Sequence, residues 1–198
     1  MTPRHPWLSY LFDCYALVDA SVAQALAEAM KDSARREKHT GCAKGCDTCC
    51  RQAIPVTPLE AAGLRWYVRE KMTEQTRAAL MAQLGTTGSG GPGSPSPRCP
   101  FLLDGSCAAY PMRPVACRRY MVLGAPCAPG EDPTVTRPEQ MLQPSRKAMN
   151  AAYAATLPYY TALGEQTPHP DESFAFMTAR TVALQALGPD ILKRPLIP

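Results

Sequence analysis

The residues of this 198-residue chain best placed to do chemistry are its cysteines. In the segment GCAKGCDTCC, Cys42, Cys46, Cys49 and Cys50 fall within nine residues, and Cys99, Cys107, Cys117 and, more distantly, Cys127 form a second group. Thiolates this close repel one another unless a cation holds them. A C-x2-C turn lets two sulfurs converge on one ion, because the reversing chain aims backbone N–H groups at sulfur. Gly41 and Gly45 supply the backbone freedom such a turn needs. Cys49 and Cys50 are neighbours, and a disulfide between them would be strained, so two separate metal directions is the easier reading. Eight thiols suffice for two tetrahedral zinc ions, a zinc pair sharing thiolates, or one 4Fe-4S cluster with thiols left over. The pattern C-x3-C-x2-C-C followed by C-x7-C-x9-C points strongly to metal without choosing which.

Plainer roles attach to the other polar residues. Buried small hydrophobes or a thiol reserve are the simple alternative for cysteines, and they suit Cys14, which stands alone on the first helix. His39 lies close enough to Cys42 to replace a thiolate, although an exposed histidine at a helix end is the simpler reading. Arg113, Arg118 and Arg119 are either surface charge or counter-charge and hydrogen-bond donors for a thiolate-rich centre. Glu60 reads as the partner in a helix capping box, with a catalytic role as the alternative. Tyr110 reads as packing over the site. No Gly-rich nucleotide loop, Ser-His-Asp set or H-E-x-x-H is present.

The elements that must position these side chains are mainly helical. Ala occurs 29 times against 11 for Val and Ile together, which favours helix over extended sheet. Leu11, Tyr15, Val18, Val22, Leu26 and Met30 recur at helical spacing and predict a helix over 7–37. Thr57, Pro58 and Glu60 mark the start of a second helix reaching about Leu84. The stretch from Gly85 to Arg98 is a flexible loop by composition. Asp104-Gly105 between two short apolar runs predicts a β-hairpin that folds Cys107 back toward Cys99. Pro114 opens a short helix presenting Cys117, and two further helices are expected within 145–187, over about 145–157 and 171–187.

With 45% hydrophobic and 19% charged residues, the chain can bury an ordinary core, so wholesale disorder is excluded. The net charge of +4 is spread along the sequence, giving no case for a nucleic-acid or membrane surface. No run approaches the length of a membrane span, and clustered cysteines with no secretory leader suit a reducing cytoplasm.

GCAKGCDTCC, then TPLEA opening a helix, then CPFLLDGSCAAYPMRPVACRRY, resembles the CxxCxxCC family of zinc- or iron-chelating proteins, also called the cysteine-cluster family, which includes flagellin lysine N-methylases. The resemblance covers about Cys42 to Cys127. It implies that Cys42, Cys46, Cys49, Cys50, Cys99, Cys107, Cys117 and Cys127 form the metal site, commonly suspected to be iron-sulfur. Tyr110, Arg113, Pro114, Cys117 and Arg118 match the family's Y-x2-R-P-x2-C-R pattern. The first spacing here is C-x3-C instead of C-x2-C, and the loop between the two halves is lengthened. Cys42, Cys46 and Cys49 also reproduce the C-x3-C-x2-C of radical S-adenosylmethionine enzymes, but the chain has neither the length nor the strands for their barrel.

The expectation is therefore a small, mainly α, single domain over 1–198: a helix at 7–37, a cysteine-rich metal-binding centre over 42–127 with a β-hairpin and long irregular loops, and helices at 145–187. Its cofactor is an iron-sulfur cluster, 4Fe-4S first, with zinc as the alternative, serving structure, electron transfer or metal handling. The alternative function is an iron-sulfur-dependent enzyme modifying a protein side chain in the manner of the lysine N-methylases. Its partners are a metal ion or cluster and a protein partner or substrate; nucleic acid and membrane are not expected.

Overall fold

The computed structural model describes residues 5–31, 40–42, 45–86 and 98–187. Helix α1 (Trp7–Ala29) buries Trp7, Leu11, Cys14, Tyr15, Val18 and Val22 along one stripe, at the three- and four-residue steps of an amphipathic helix. Its last turns rest Leu26 and Met30 on a smaller cluster of Ala29, Leu123 and Leu142. The helix stops at Ala29 with Met30 as its cap; most of the expected continuation to Glu37, with His39 beyond it, lies outside the described residues.

Strand β1 (Pro55–Val56) leads into α2 (Pro58–Glu70) through the expected capping box. Glu60 Oε2 accepts from Thr57 N and Thr57 Oγ1, both at 2.8 Å, and Thr57 Oγ1 accepts from Glu60 N at 3.3 Å. Gly63 on this helix faces α1 so closely that a Cβ there would collide with Leu11 Cδ2 and stand 2.9 Å from Met112 Cε, and both side chains would have to shift. The single helix expected to Leu84 is instead two. Lys71 and Met72 both turn back onto the Tyr67 carbonyl, and Thr73 Oγ1 accepts from Thr76 N to open α3 (Glu74–Thr86). A threonine competing for a backbone N–H is enough to end one helix and begin another. The expected loop falls mainly on 87–97, outside the described residues.

Strands β2 (Leu102–Leu103) and β3 (Ser106–Cys107) form the predicted hairpin, with Leu102 opposite Cys107. Asp104 at φ 47° and Gly105 at φ 70° make its tight left-handed turn. Helix α4 (Val115–Arg118) follows with Pro114 as its cap, then β4 (Met121–Val122) and a one-turn helix α5 (Pro133–Thr136). Strand β5 (Met141–Leu142) pairs with β4. Helix α6 (Arg146–Ala154) packs against α1 and is followed by α7 (Leu157–Ala162) and α8 (Ser173–Thr178). The helix expected over 171–187 is shorter than its apolar pattern suggested. After Thr178 the chain extends as β6 (Val182–Ala183) and pairs with β1, placing Pro55 opposite Ala183. Gln185 closes this junction, accepting from Ile54 N and donating to the Gln52 carbonyl. The C-terminal part thus grips the chain immediately after the first cysteine group.

One hydrophobic core extends from Trp7 on α1 to Leu184 beyond β6 and draws on every helix from α1 to α4 and from α6 to α8. The fold is mainly α, with two-stranded ladders at its edges. Among the described residues, no helix is long and apolar enough to cross a membrane.

Candidate metal centre

Each cysteine group is carried on a scaffold that the other elements fix. Cys42 follows Gly41, whose N–H bonds the Val122 carbonyl at 2.7 Å, while Val122 N donates to Cys42 Sγ at 3.4 Å. The chain therefore lies along β4, and a Cβ on Gly41 would stand 2.5 Å from the Ala125 carbonyl oxygen. Gly45 takes φ 93°, the left-handed turn that only glycine adopts without strain. Cys49 and Cys50 then sit on a 3-10 turn, Thr48–Arg51, closed by Cys50 N on the Asp47 carbonyl. The Asp47 carboxylate holds Arg51 at 2.9 Å and Arg98 at 3.5 Å.

The two groups meet through the backbone. Cys99 N donates to the Cys50 carbonyl at 2.7 Å, joining residues separated by the entire α2–α3 excursion. Cys99 is buried in the main core, and Cys50, Cys107 and Cys117 pack against that core from the 3-10 turn, β3 and α4. Cys49 stands beside them, more exposed, and its charge acts on Cys42, Cys50, Cys99, Cys107 and Cys117. Cys46 and Cys127 are elsewhere, lining an open pocket of about 390 Å3. All nine cysteines are free thiols. Among the described residues, no three His, Cys, Asp or Glu side chains already stand in an arrangement that grips an ion.

The electrostatics show what a cation would have to supply. Burial pushes Cys99 up to about 12, with the Phe101 and Leu102 N–H groups opposing it, and drives Cys117 well above the ordinary thiol range. Burial also raises Cys42, Cys107 and Cys127. A hydrogen bond from Cys50 holds Cys49 down to about 7, while the same contact raises Cys50. One thiolate is thus favoured among neighbours that stay protonated until a positive charge arrives. Cys14, buried on α1, is raised by desolvation first and by the Glu60 charge second.

The three arginines separate into different roles. Arg118 is buried and spends its donors on Asp19 Oδ2 at 2.6 Å, the Arg113 carbonyl at 2.7 Å and the Pro111 carbonyl, with its guanidinium 4.1 Å above Tyr15. It anchors α4 and does not face the sulfurs. Arg119 lies over Tyr120 and Phe174. Arg113 is the one whose charge acts on Cys42, Cys49 and Cys107. Its Nε is buried with no hydrogen-bond acceptor among the described residues. A buried cationic donor without an acceptor, beside three thiols, fits an anionic thiolate–metal centre. Tyr110 proves to be 60% exposed, stacked at 4.3 Å from the Arg113 guanidinium, so it backs the arginine and does not cover the sulfurs.

Glu60 does more than cap α2. Its second oxygen, Oε1, accepts from Val115 N at 2.7 Å, so one carboxylate ties the first turn of α2 to the first turn of the helix bearing Cys117. The sequence signals half of this role; the contact to Val115, 55 positions away, has no local signature. Nor does the bracing of the Cys127 loop, where Glu131 holds Arg137 at 2.7 Å and Arg137 donates to the Ala125 carbonyl at 2.8 Å.

No curated protein and no solved structure matches the chain. A family model matches residues 41–143, just over half of the sequence, and contains all eight of the clustered cysteines. That family is CxxCxxCC, described as "Putative zinc- or iron-chelating domain". The match spans Gly41 on β4, the 3-10 turn, α2, α3, the hairpin, α4, the braced Cys127 loop and the β4–β5 ladder, and on that evidence the chain belongs to the CxxCxxCC family of zinc- or iron-chelating domains.

Proposed function

We propose that the chain is a cytoplasmic metal-binding protein, a single domain over 1–198, in which Cys42, Cys46, Cys49, Cys50, Cys99, Cys107, Cys117 and Cys127 supply the thiolates. The cofactor is an iron-sulfur cluster, 4Fe-4S in preference to zinc, held for structure, electron transfer or metal handling. The observation that carries the reading is the meeting of Cys49, Cys50, Cys99, Cys107 and Cys117 from four separate segments beside Arg113. Five thiols supply the four that either a cubane cluster or a tetrahedral zinc ion takes, with one to spare.

Once bound, such a group would supply positive charge to the thiolates and cross-link the segments that carry them. The protein's own part is positional. The Cys99–Cys50 backbone bond sets the distance between the groups, Glu60 orients α4, and Arg113 offsets the residual negative charge. The pairing of β6 with β1 supports a single domain, since it fastens the C-terminal part directly beside the first cysteine group.

The test is metal and sulfide analysis of anaerobically purified protein. Iron and acid-labile sulfide in equal amounts support the cluster. A colourless protein carrying zinc removes the iron-sulfur preference, and a folded protein free of metal removes the whole reading.

A further inference from the structure

The eight thiols do not occupy equivalent places. Cys50, Cys99, Cys107 and Cys117 pack on the main core, with Cys49 at their edge. Cys46 and Cys127 contribute nothing to that core and instead line an open pocket with Gly41, Gly45, Asp47 and Arg51. The charge of Cys46 acts on Cys127 across it. One wall carries Thr48 and Arg51 of the 3-10 turn, and the Cys127 wall is loop but fixed: Thr48 Oγ1 donates to the Ala128 carbonyl at 3.4 Å, and Ala128 N donates to Glu131 at 2.7 Å.

We propose that Cys46 and Cys127 form a separate, exchangeable site for a zinc-class divalent cation, Zn2+ or Fe2+, through which metal enters or leaves the domain. This rests on the reading of the clustered cysteines as metal ligands and adds a division of labour to it. Two thiolates leave a tetrahedral ion half coordinated. A volume of about 390 Å3 exceeds what a bare ion needs and accepts an ion still carrying donors from outside, such as water or a small thiol. Half coordination by the protein makes release fast, whereas four thiolates on core-packed elements make it slow. Arg137, held by Glu131 and donating to the Ala125 carbonyl at 2.8 Å, keeps the Cys127 loop in place.

The experiment uses the full-length, anaerobically purified and reduced protein with whatever metal it carries. It is incubated with Zn2+, desalted, and mixed in a stopped-flow instrument with an excess of a chromophoric chelator. The expected trace is biphasic, with about one equivalent of zinc in the fast phase. Cys127→Ser and Cys46→Ser each abolish the fast phase and leave the slow phase and the circular dichroism spectrum unchanged. A single phase in the wild type, or a fast phase that survives both substitutions, overturns the exchange site while leaving the reading of the inner thiols standing. Wild-type protein that retains no metal under any loading overturns both.

Discussion

Glu60→Gln replaces one oxygen of a buried carboxylate with a donor of nearly the same shape, so its effect isolates hydrogen bonding from packing. The carboxylate accepts from Thr57 N, Thr57 Oγ1 and Val115 N at 2.7–2.8 Å. An amide has only one oxygen. If that oxygen faces Val115, the amide NH2 confronts the Thr57 N–H; if it faces Thr57, the NH2 confronts the Val115 N–H. The threonine hydroxyl can rotate to accept, but a backbone N–H cannot, so one buried donor is stranded in either orientation at a cost of about 1–3 kcal/mol. Relief from burying a charge offsets part of this, because desolvation dominates at Glu60 and holds its carboxyl above the usual range. A net loss of about 2 kcal/mol should lower Tm by about 4–8 °C in a chain of this size.

The pH dependence follows from the same shift. A carboxyl whose folded pKa is raised contributes stability that is fully present below its unfolded pKa and is lost as pH rises through the folded value. The amide has no such contribution, so the gap between wild type and Glu60→Gln narrows as pH rises from the ordinary carboxylate range upward. Thermal unfolding followed by circular dichroism across that range reads both effects. A variant melting at the wild-type temperature at neutral pH, or a gap that widens with pH, refutes the reasoning.

Other outcomes follow from single contacts. Arg113→Gln should weaken metal binding about 10–100-fold, as loss of a residue supporting the ligands does, yet cost the metal-free protein no more than about 1 kcal/mol, since its Nε has no acceptor among the described residues and its exposed stack on Tyr110 is weak. Arg118→Gln should do the reverse, costing the fold about 2–3 kcal/mol through its lost bonds to Asp19 and two carbonyls; competition with a chelator and denaturant unfolding separate the two. Gly41→Ala sets a Cβ against the Ala125 and Gly124 carbonyls, which are backbone and yield little; it should destabilise by about 1–3 kcal/mol in chemical denaturation. Cys14→Ser should leave the metal content per chain unchanged, because Cys14 lies on α1 among Trp7, Leu11 and Tyr15; a fall in metal on elemental analysis would falsify its exclusion from the ligands.

What the sequence discloses is mostly what local chemistry dictates. The capping box at Thr57–Glu60, the tight turn at Asp104-Gly105 and the buried stripe of α1 each depend on residues within a few positions of one another. Ladders of two residues leave almost no period to detect, so the pairing of β1 with β6 and of β4 with β5 has no visible sequence pattern. The same limit explains the C-terminal part, where apolar spacing compatible with a long helix is overridden after Thr178 by pairing with Pro55–Val56. Within the site, the cysteine spacing announces metal ligands but cannot divide them. That Cys46 faces Cys127 while Cys50 meets Cys99 depends on which loop crosses which, a tertiary fact. The arginines were equivalent in sequence for a similar reason, since Asp19, which fixes Arg118, lies 99 positions away on α1.

The central claim is that Cys49, Cys50, Cys99, Cys107 and Cys117 hold one centre, with Cys49 at its hub. The most direct measurement is metal and acid-labile sulfide per chain in wild type and Cys49→Ser, purified side by side without oxygen. The account predicts stoichiometric metal in the wild type and its loss in the variant together with the thermal stability that the metal confers. Equal metal in both proteins, or a well-folded wild type with nine reactive thiols and no metal, would contradict it.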